Sequence, residues 1–237
     1  VRVISTQRGG GTSAAPYASL NLGGHVGDVA DAVAENRRRL REAAGLPGEP
    51  LWLAQVHGVT VADLDAGDAA AAPRTADACF TRQAGRICAI LTADCLPIVL
   101  TAASGTVVAA AHAGWRGLAA GVLEALLDAL AQAVGVQPQS LMAWLGPAIG
   151  PRHFEVGGEV REALLAGDPG ATAAFRPNER GRFLADLPAL ARRRLAGRGV
   201  DRIFGSGECT YEAADRYFSH RRDGVTGRQA TLIWREA

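Results

Sequence analysis

A chain of 237 residues, 48% of them hydrophobic, can bury a sizeable core as one large domain or two small ones. A formal net charge of +1, with Arg, Asp and Glu interspersed, argues against nucleic acid or a membrane surface as the main partner and leaves a small molecule as the expected ligand. Four cysteines without a C-x-x-C pair are too sparse for a disulfide framework, and the lack of an apolar run of about 18 residues or of a charged-then-apolar leader makes a cytoplasmic protein the expectation.

In chain order, Val1 to Gln7 is short and β-prone, and a few residues are expected to precede it in the reading frame. Arg8-Gly-Gly-Gly-Thr-Ser13 then reads as a flexible loop, and Ser19-Leu-Asn-Leu-Gly-Gly-His25 as a second Gly-bearing loop. Asp28 or Asp31 is placed to cap a helix running through Ala44, with Gly45 as its stop. Leu51 to Val56 and Val59 to Leu64 read as two strands broken at His57-Gly58, and Ala66 to Thr75 as a surface connection. Four strands follow closely: Ala78 to Phe80, Ile87 to Leu91, Pro97 to Thr101 and Thr106 to His112, with links short enough for antiparallel or mixed pairing. Apolar residues at helical spacing predict one helix from Leu118 to Val134, stopped by Gly135. A strand at Leu141 to Leu145, helices at Gly158 to Ala166 and Leu187 to Ala196, and a last strand at Ala230 to Trp234 complete a single α+β domain over residues 1–237, without internal repeats.

Reactive side chains gather at the strand ends. His57 in QVHG, Cys95 in ADCLP and His112 in AHAGWRG each meet a bend or the end of an apolar run. Two imidazoles and a thiolate satisfy the three-ligand rule for a catalytic zinc, although their separations are not those of a zinc finger. Two other readings stay open on the residues alone. Cys95 can be a nucleophile with His112 as its base, or all three can be hydrogen-bonded or buried residues without chemistry. Asp94 either raises the Cys95 pKa or orients a histidine. Cys79 and Cys88, inside apolar runs, read as core residues. His25 and His153 are loop histidines within reach of a ligand, His220 reads as a surface residue, and Arg37 and Arg116 are the cations nearest the candidate loops. Trp115 is expected to pack under the site. Gly9 to Gly11 lacks the form of a phosphate-binding loop, and no G-x-G-x-x-G joins a strand to a helix.

Taken together, QVHG, TADCLPI, AHAGWRG, GPAIGPRHFEV, Cys209-Thr-Tyr211 and SHRRDGVTGRQATLIW resemble the YfiH family, also called the laccase-domain or polyphenol oxidase family and the peptidoglycan editing factor family. The resemblance runs almost from Thr6 to the C-terminus. It implies an α+β fold of layered α/β/β/α arrangement with mixed sheets, CNF1/YfiH-like. It implies Zn2+ held by His57, Cys95 and His112 as the catalytic centre, with Asn21 and Arg37 at positions associated with substrate. The implied activity is that of a purine nucleoside phosphorylase that also deaminates adenosine and cleaves methylthioadenosine, acting on nucleoside and phosphate as a monomer or weak oligomer. A peptidoglycan-precursor editing amidase built on the same Cys/His site is the alternative. A copper polyphenol oxidase fits poorly, because four Cys, five His and one Met scattered singly do not readily furnish several copper sites. Arg152 departs from the small residue expected at its position.

Overall fold

The computed structural model describes residues 1–66 and 73–236. Strand β1 (Arg2–Ser5) opens into a long irregular segment that ends at helix α1 (Ala30–Ala43), whose buried residues Val33, Asn36 and Leu40 recur at three- and four-residue spacing. Buried Asn36 pins the glycine-rich segment expected to be flexible: its Oδ1 accepts from Thr12 N (2.8 Å), and its Nδ2 donates to Ser13 Oγ (2.8 Å) and Asn21 O (2.9 Å). Neither Asp28 nor Asp31 caps α1 through its side chain. Val29 holds the cap position, and the Asp28 carboxylate is occupied by Ser13 Oγ (2.6 Å) and Asn21 Nδ2 (2.9 Å).

The run Leu51 to Val56 is not a strand; only single bridges at Leu51 and Ala54 form. The reason is Gln55, whose side-chain amide takes both backbone groups of Leu91 at 2.8 Å and so replaces a ladder with one residue. Strands β2 (Val61–Asp63), β3 (Ala78–Thr81), β4 (Ile87–Thr92), β5 (Leu96–Ala102) and β6 (Val108–Ala113) follow, and the expected connection before β3 falls largely outside the described residues. The single helix expected over 118–134 is two, α2 (Trp115–Ala120) and α3 (Val122–Val134), because Gly121 takes a φ of +97°, which no helix contains. Next come β7 (Leu141–Leu145), β8 (Glu155–Val156), α4 (Gly158–Ala166), β9 (Phe175–Pro177), β10 (Phe183–Ala185), α5 (Leu187–Gly197), β11 (Arg202–Gly205), the short α6 (His220–Asp223) and β12 (Gln229–Trp234). The small sheet β8-β10-β9 was not foreseen, since strands of two or three residues are too short to show a period.

A mixed six-stranded sheet, β11-β7-β5-β6-β3-β2, stacks on a three-stranded antiparallel sheet, β1-β12-β4. Period-two alternation divides each strand between layers. On β4, Cys88 and Ile90 turn toward Val99, Val108 and Ala110 of the larger sheet, while Ile87, Ala89 and Leu91 turn toward Leu40 of α1. On the far face of the larger sheet, Ile98, Leu100 and Ala111 pack with Leu118, Leu123 and Leu126 of α2 and α3. The order is therefore helices, large sheet, small sheet, helix, which is the layered α/β/β/α arrangement. The inner strands β3 to β6 and β12 are buried on both faces, so they read as nearly continuous apolar runs, whereas the edge strands β1 and β11 are largely exposed. Among the described residues no helix is long and apolar enough to cross a membrane.

The break at Gly121 gives a direct test. An L-residue there must hold a left-handed backbone, so Gly121→Ala should lower stability by about 1–2 kcal/mol in urea unfolding. An unchanged midpoint would show that the joint between α2 and α3 relaxes freely.

Candidate metal centre

The chain leaves one sheet and enters the other in three residues, Ala93-Asp94-Cys95, between the end of β4 and the start of β5. Asp94 takes a φ of +91°, a region that Asp tolerates better than most residues. Its carboxylate turns away from the thiol: Oδ1 accepts from Thr210 Oγ1 (2.7 Å), and Oδ2 from Ser219 Oγ (3.0 Å) and Arg221 N (2.7 Å). Asp94 therefore neither perturbs Cys95 nor orients a histidine; it clamps the crossover to two distant loops and so fixes where Cys95 sits.

His112 lies one residue from the end of β6, on the same face as Val108 and Ala110, and is buried between the sheets. His57 occupies the bend before β2 with a φ of +61°, a strained value for a non-glycine residue. Buried Asp77 holds both histidines. Its Oδ1 accepts from His57 N (2.9 Å) and bonds His112 Nδ1 (2.8 Å), and its Oδ2 accepts from Val56 N (3.1 Å) and Gly58 N (2.7 Å). Burial opposes ionisation of Asp77, but His112 and these N–H groups hold its pKa below the ordinary value. With Nδ1 of His112 engaged, Nε2 is left for the site, as a carboxylate sets a metal-ligating histidine.

The donor atoms of His57, Cys95 and His112 lie within 4.8 Å of one another, and Cys95 Sγ is 3.7 Å from His57 Nε2. Bonds of roughly 2.3 Å to sulfur and 2.0–2.1 Å to nitrogen at a tetrahedral angle place S and N about 3.6 Å apart. The residues fit a metal ion. Glycine makes the fit possible: a Cβ on Gly114 would lie 2.8 Å from His57 Cδ2 and 3.0 Å from Cys95 Sγ. Among the described residues this is the group of three or more His, Cys, Asp or Glu that can hold a metal.

Burial resists charging of Cys95 and of His112, yet each stabilises the other's charged form. His112 and then His57 bring the Cys95 pKa down to about 6, while Cys95 and Asp77 raise that of His112 to about 9. Without metal the two titrate as a thiolate–imidazolium pair.

The group opens into a 380 Å³ cavity walled by Trp115, Phe154 and Ile149, with Arg116, Arg221 and Arg228 as its cations. Trp115 lines the site as expected, and Arg116 lies over its ring at 4.4 Å. His25 and His220 also line the cavity, and His220 does so as the exposed residue its sequence context implies. Partial burial, then Arg228 and Arg37, hold the His25 pKa below the ordinary value. His153 is elsewhere, bonded to Glu212 (2.8 Å) and stacked on Tyr211 at 4.3 Å; Arg152 joins the same Glu212. Cys79 and Cys88 are core residues.

Asn21 and Arg37 do not line this cavity. Asn21 is fully buried, and its Oδ1 accepts from Gly23 N (3.0 Å) and Arg228 N (2.8 Å). Arg37 donates to Leu22 O at 2.8 Å, lies over Trp52 and faces a separate depression beside α1. Both brace the 21–25 loop. Sequence reasoning missed Asp77, Gln55 and Arg228, because a lone Asp before a strand, a Gln or an Arg in a turn carries no spacing signal.

Two outcomes follow for metal binding. Asp77→Asn places an amide donor among N–H groups, so metal affinity should fall about 10–100-fold in chelator competition; an unchanged affinity would contradict the bracing role. Metal takes a thiolate and a neutral imidazole. Between pH 6 and 9, where the metal-free pair is thiolate and imidazolium, binding should release the His112 proton. Affinity should rise with pH across that window and fall more steeply below 6 as Cys95 also protonates. Indicator titration at pH 7.5 showing no proton release would contradict this sign.

Residues 2–236 match the family described as multi-copper polyphenol oxidoreductase laccase. Purine nucleoside phosphorylase YfiH of Escherichia coli K12 is 53% identical over 234 residues, covering 99% of this chain and 93% of that protein. Purine nucleoside phosphorylase PA4543 of Pseudomonas aeruginosa PAO1 is 53% identical over 235 residues, with the same coverage. The crystal structure of Neisseria meningitidis protein NMB0706 superposes with a TM-score of 0.92 at 45% identity, covering 99% of this chain and 94% of that one. The chain belongs to this laccase-like family, as the YfiH resemblance of its motifs implies.

Proposed function

We propose that this protein is a zinc-dependent purine nucleoside phosphorylase that also deaminates adenosine and cleaves methylthioadenosine, working in the cytoplasm as a single-domain monomer or weak oligomer. One observation carries the reading: two imidazoles and a thiol converge in a cavity whose remaining walls combine aromatic rings with arginines. The name purine nucleoside phosphorylase, borne by relatives 53% identical across nearly the whole chain, supports it.

His57, Cys95 and His112 would hold the ion and leave a fourth tetrahedral position open. A zinc ion there supplies Lewis acidity and activation of water near neutral pH, the need of hydrolytic attack at C6 of adenosine. Zinc suits a mixed imidazole and thiolate set, and the single donor cluster among the described residues does not furnish the several sites that a multi-copper oxidase needs. Trp115 and Phe154 offer apolar faces to a planar purine. The arginines offer charge to phosphate, whose oxygen forms a bond to C1′ as the bond from C1′ to the purine nitrogen breaks. Asp77 keeps His112 Nε2 toward the site throughout. Asn21 and Arg37 contribute to substrate binding by holding the loop that carries His25.

Zinc-loaded protein given adenosine and phosphate should release adenine and ribose 1-phosphate. His57→Ala should lower kcat/KM by roughly 100-fold or more, since losing a ligand costs at least what losing its hydrogen-bond partner costs. No turnover of adenosine, inosine or methylthioadenosine, together with Cys95-dependent release of serine from a UDP-muramyl-serine precursor, would replace this reading with the editing amidase.

A further inference from the structure

The cavity's three arginines are not equivalent. Arg116 and Arg221 are exposed at the rim, where Arg116 lies over Trp115 and Arg221 donates to Glu155 O (2.8 Å). Arg228 is half-buried, at the entry to β12, and the surrounding structure over-determines its position. Its backbone N–H is held by buried Asn21 Oδ1 at 2.8 Å. The preceding Gly227 is pressed against Phe218 so closely that a Cβ there would lie 2.7 Å from the ring. The Arg228 stem runs against Gly23, where a Cβ would lie 2.8 Å from Arg228 Cγ.

The guanidinium is held on one side only. Nη1 donates to Thr226 O (2.9 Å) and Gly227 O (3.0 Å), and among the described residues Nε and Nη2 have no partner and no carboxylate pairs with the group. The one carboxylate lining the cavity, Asp94, is spent on Thr210, Ser219 and Arg221 N. A partly desolvated cation with no directly bonded counter-charge is costly unless a ligand supplies one. Burial depresses the Arg228 pKa against the opposing pull of Cys95, Asp94 and Tyr17, none of which bonds the guanidinium. A guanidinium edge with two free N–H donors matches two oxygens of a tetrahedral oxyanion.

We propose that Arg228 is the phosphate-binding residue of this cavity, its free guanidinium edge taking a phosphate-type oxyanion beside the His57, Cys95 and His112 group. The assignment rests on the phosphorylase reading for its ligand. It also gives buried Asn21 a definite task, holding Arg228 in place without touching the anion. Free phosphate and a nucleoside 5′-monophosphate share the recognised chemistry, and separate titrations distinguish them.

The test pairs kinetics with direct binding on the full chain. In zinc-loaded wild type and Arg228→Met, the KM for phosphate is measured at saturating adenosine, and the KM for adenosine at saturating phosphate. Losing a charge-assisted pair of hydrogen bonds should raise the phosphate KM about tenfold or more, with the adenosine KM within about twofold. Arg228→Lys, which keeps the charge and loses the fork, should fall between and covers the case in which Arg228→Met does not fold. Gly23→Ala, which displaces the Arg228 stem without altering the guanidinium, should also weaken phosphate. Calorimetric titration with inorganic phosphate alone, and with adenosine 5′-monophosphate alone, reads the site independently of turnover. Dependence of either titration on Arg228 supports the proposal even if no phosphorolysis is seen, an outcome that would defeat only the phosphorylase reading. Phosphate KM and both titrations unchanged in Arg228→Met or Arg228→Lys overturn it.

Discussion

Asp77 is the point on which the site depends. A carboxylate with no exposed surface is stable only if its oxygens are fully engaged, and here two oxygens face four N–H groups from two separate parts of the chain. Three come from consecutive residues at the bend around His57, which must turn their N–H groups inward together and thereby force the positive φ at His57. The fourth is His112, from a buried strand. One buried charge thus ties a strained loop to a rigid sheet and sets the distance between two imidazoles. The third donor, Cys95, is fixed by a second carboxylate of the same kind, Asp94, at the crossover between sheets.

These two clamps explain how a site can stand at the open end of a two-sheet stack. The interior of the stack is apolar and offers no ligands. Reactive groups appear only where strands end and the chain turns, and turns are free to move unless something holds them. Asp77 and Asp94 supply that hold, while glycines at 114 and 117 remove the Cβ atoms that would keep the loops apart. The cost of strain at His57 and Asp94 is met by hydrogen bonds to a charged group, each stronger than an ordinary one.

Much of this was legible in the sequence. Strands β3 to β6 are nearly continuous apolar runs because both of their faces are buried, and the runs end where His112 and Cys95 begin, so two of the three donors could be found from hydropathy alone. His57 was recognisable as a residue at a bend between apolar stretches. What escaped notice is long-range. Asp77 is separated from His112 by three whole strands and most of a fourth, Asn21 meets Arg228 from the opposite end of the chain, and Gln55 imitates a strand by using its side chain. None of these leaves a periodic trace. The kink at Gly121 leaves no mark in the spacing, because a glycine there is compatible with either a continuous helix or a break, and only its φ decides.

The family's name points to copper and to oxidation, whereas the donors and the cavity point to one ion beside a basic, aromatic-lined pocket. Diffraction from crystals of the purified protein, recorded on both sides of the zinc absorption edge, addresses this difference most directly. One anomalous peak is expected, specific to the zinc edge, about 2.3 Å from Cys95 Sγ and about 2.0–2.1 Å from a nitrogen of His57 and of His112. A peak specific to copper, several metal peaks, or no peak at these three residues in protein that still turns over nucleoside would contradict it.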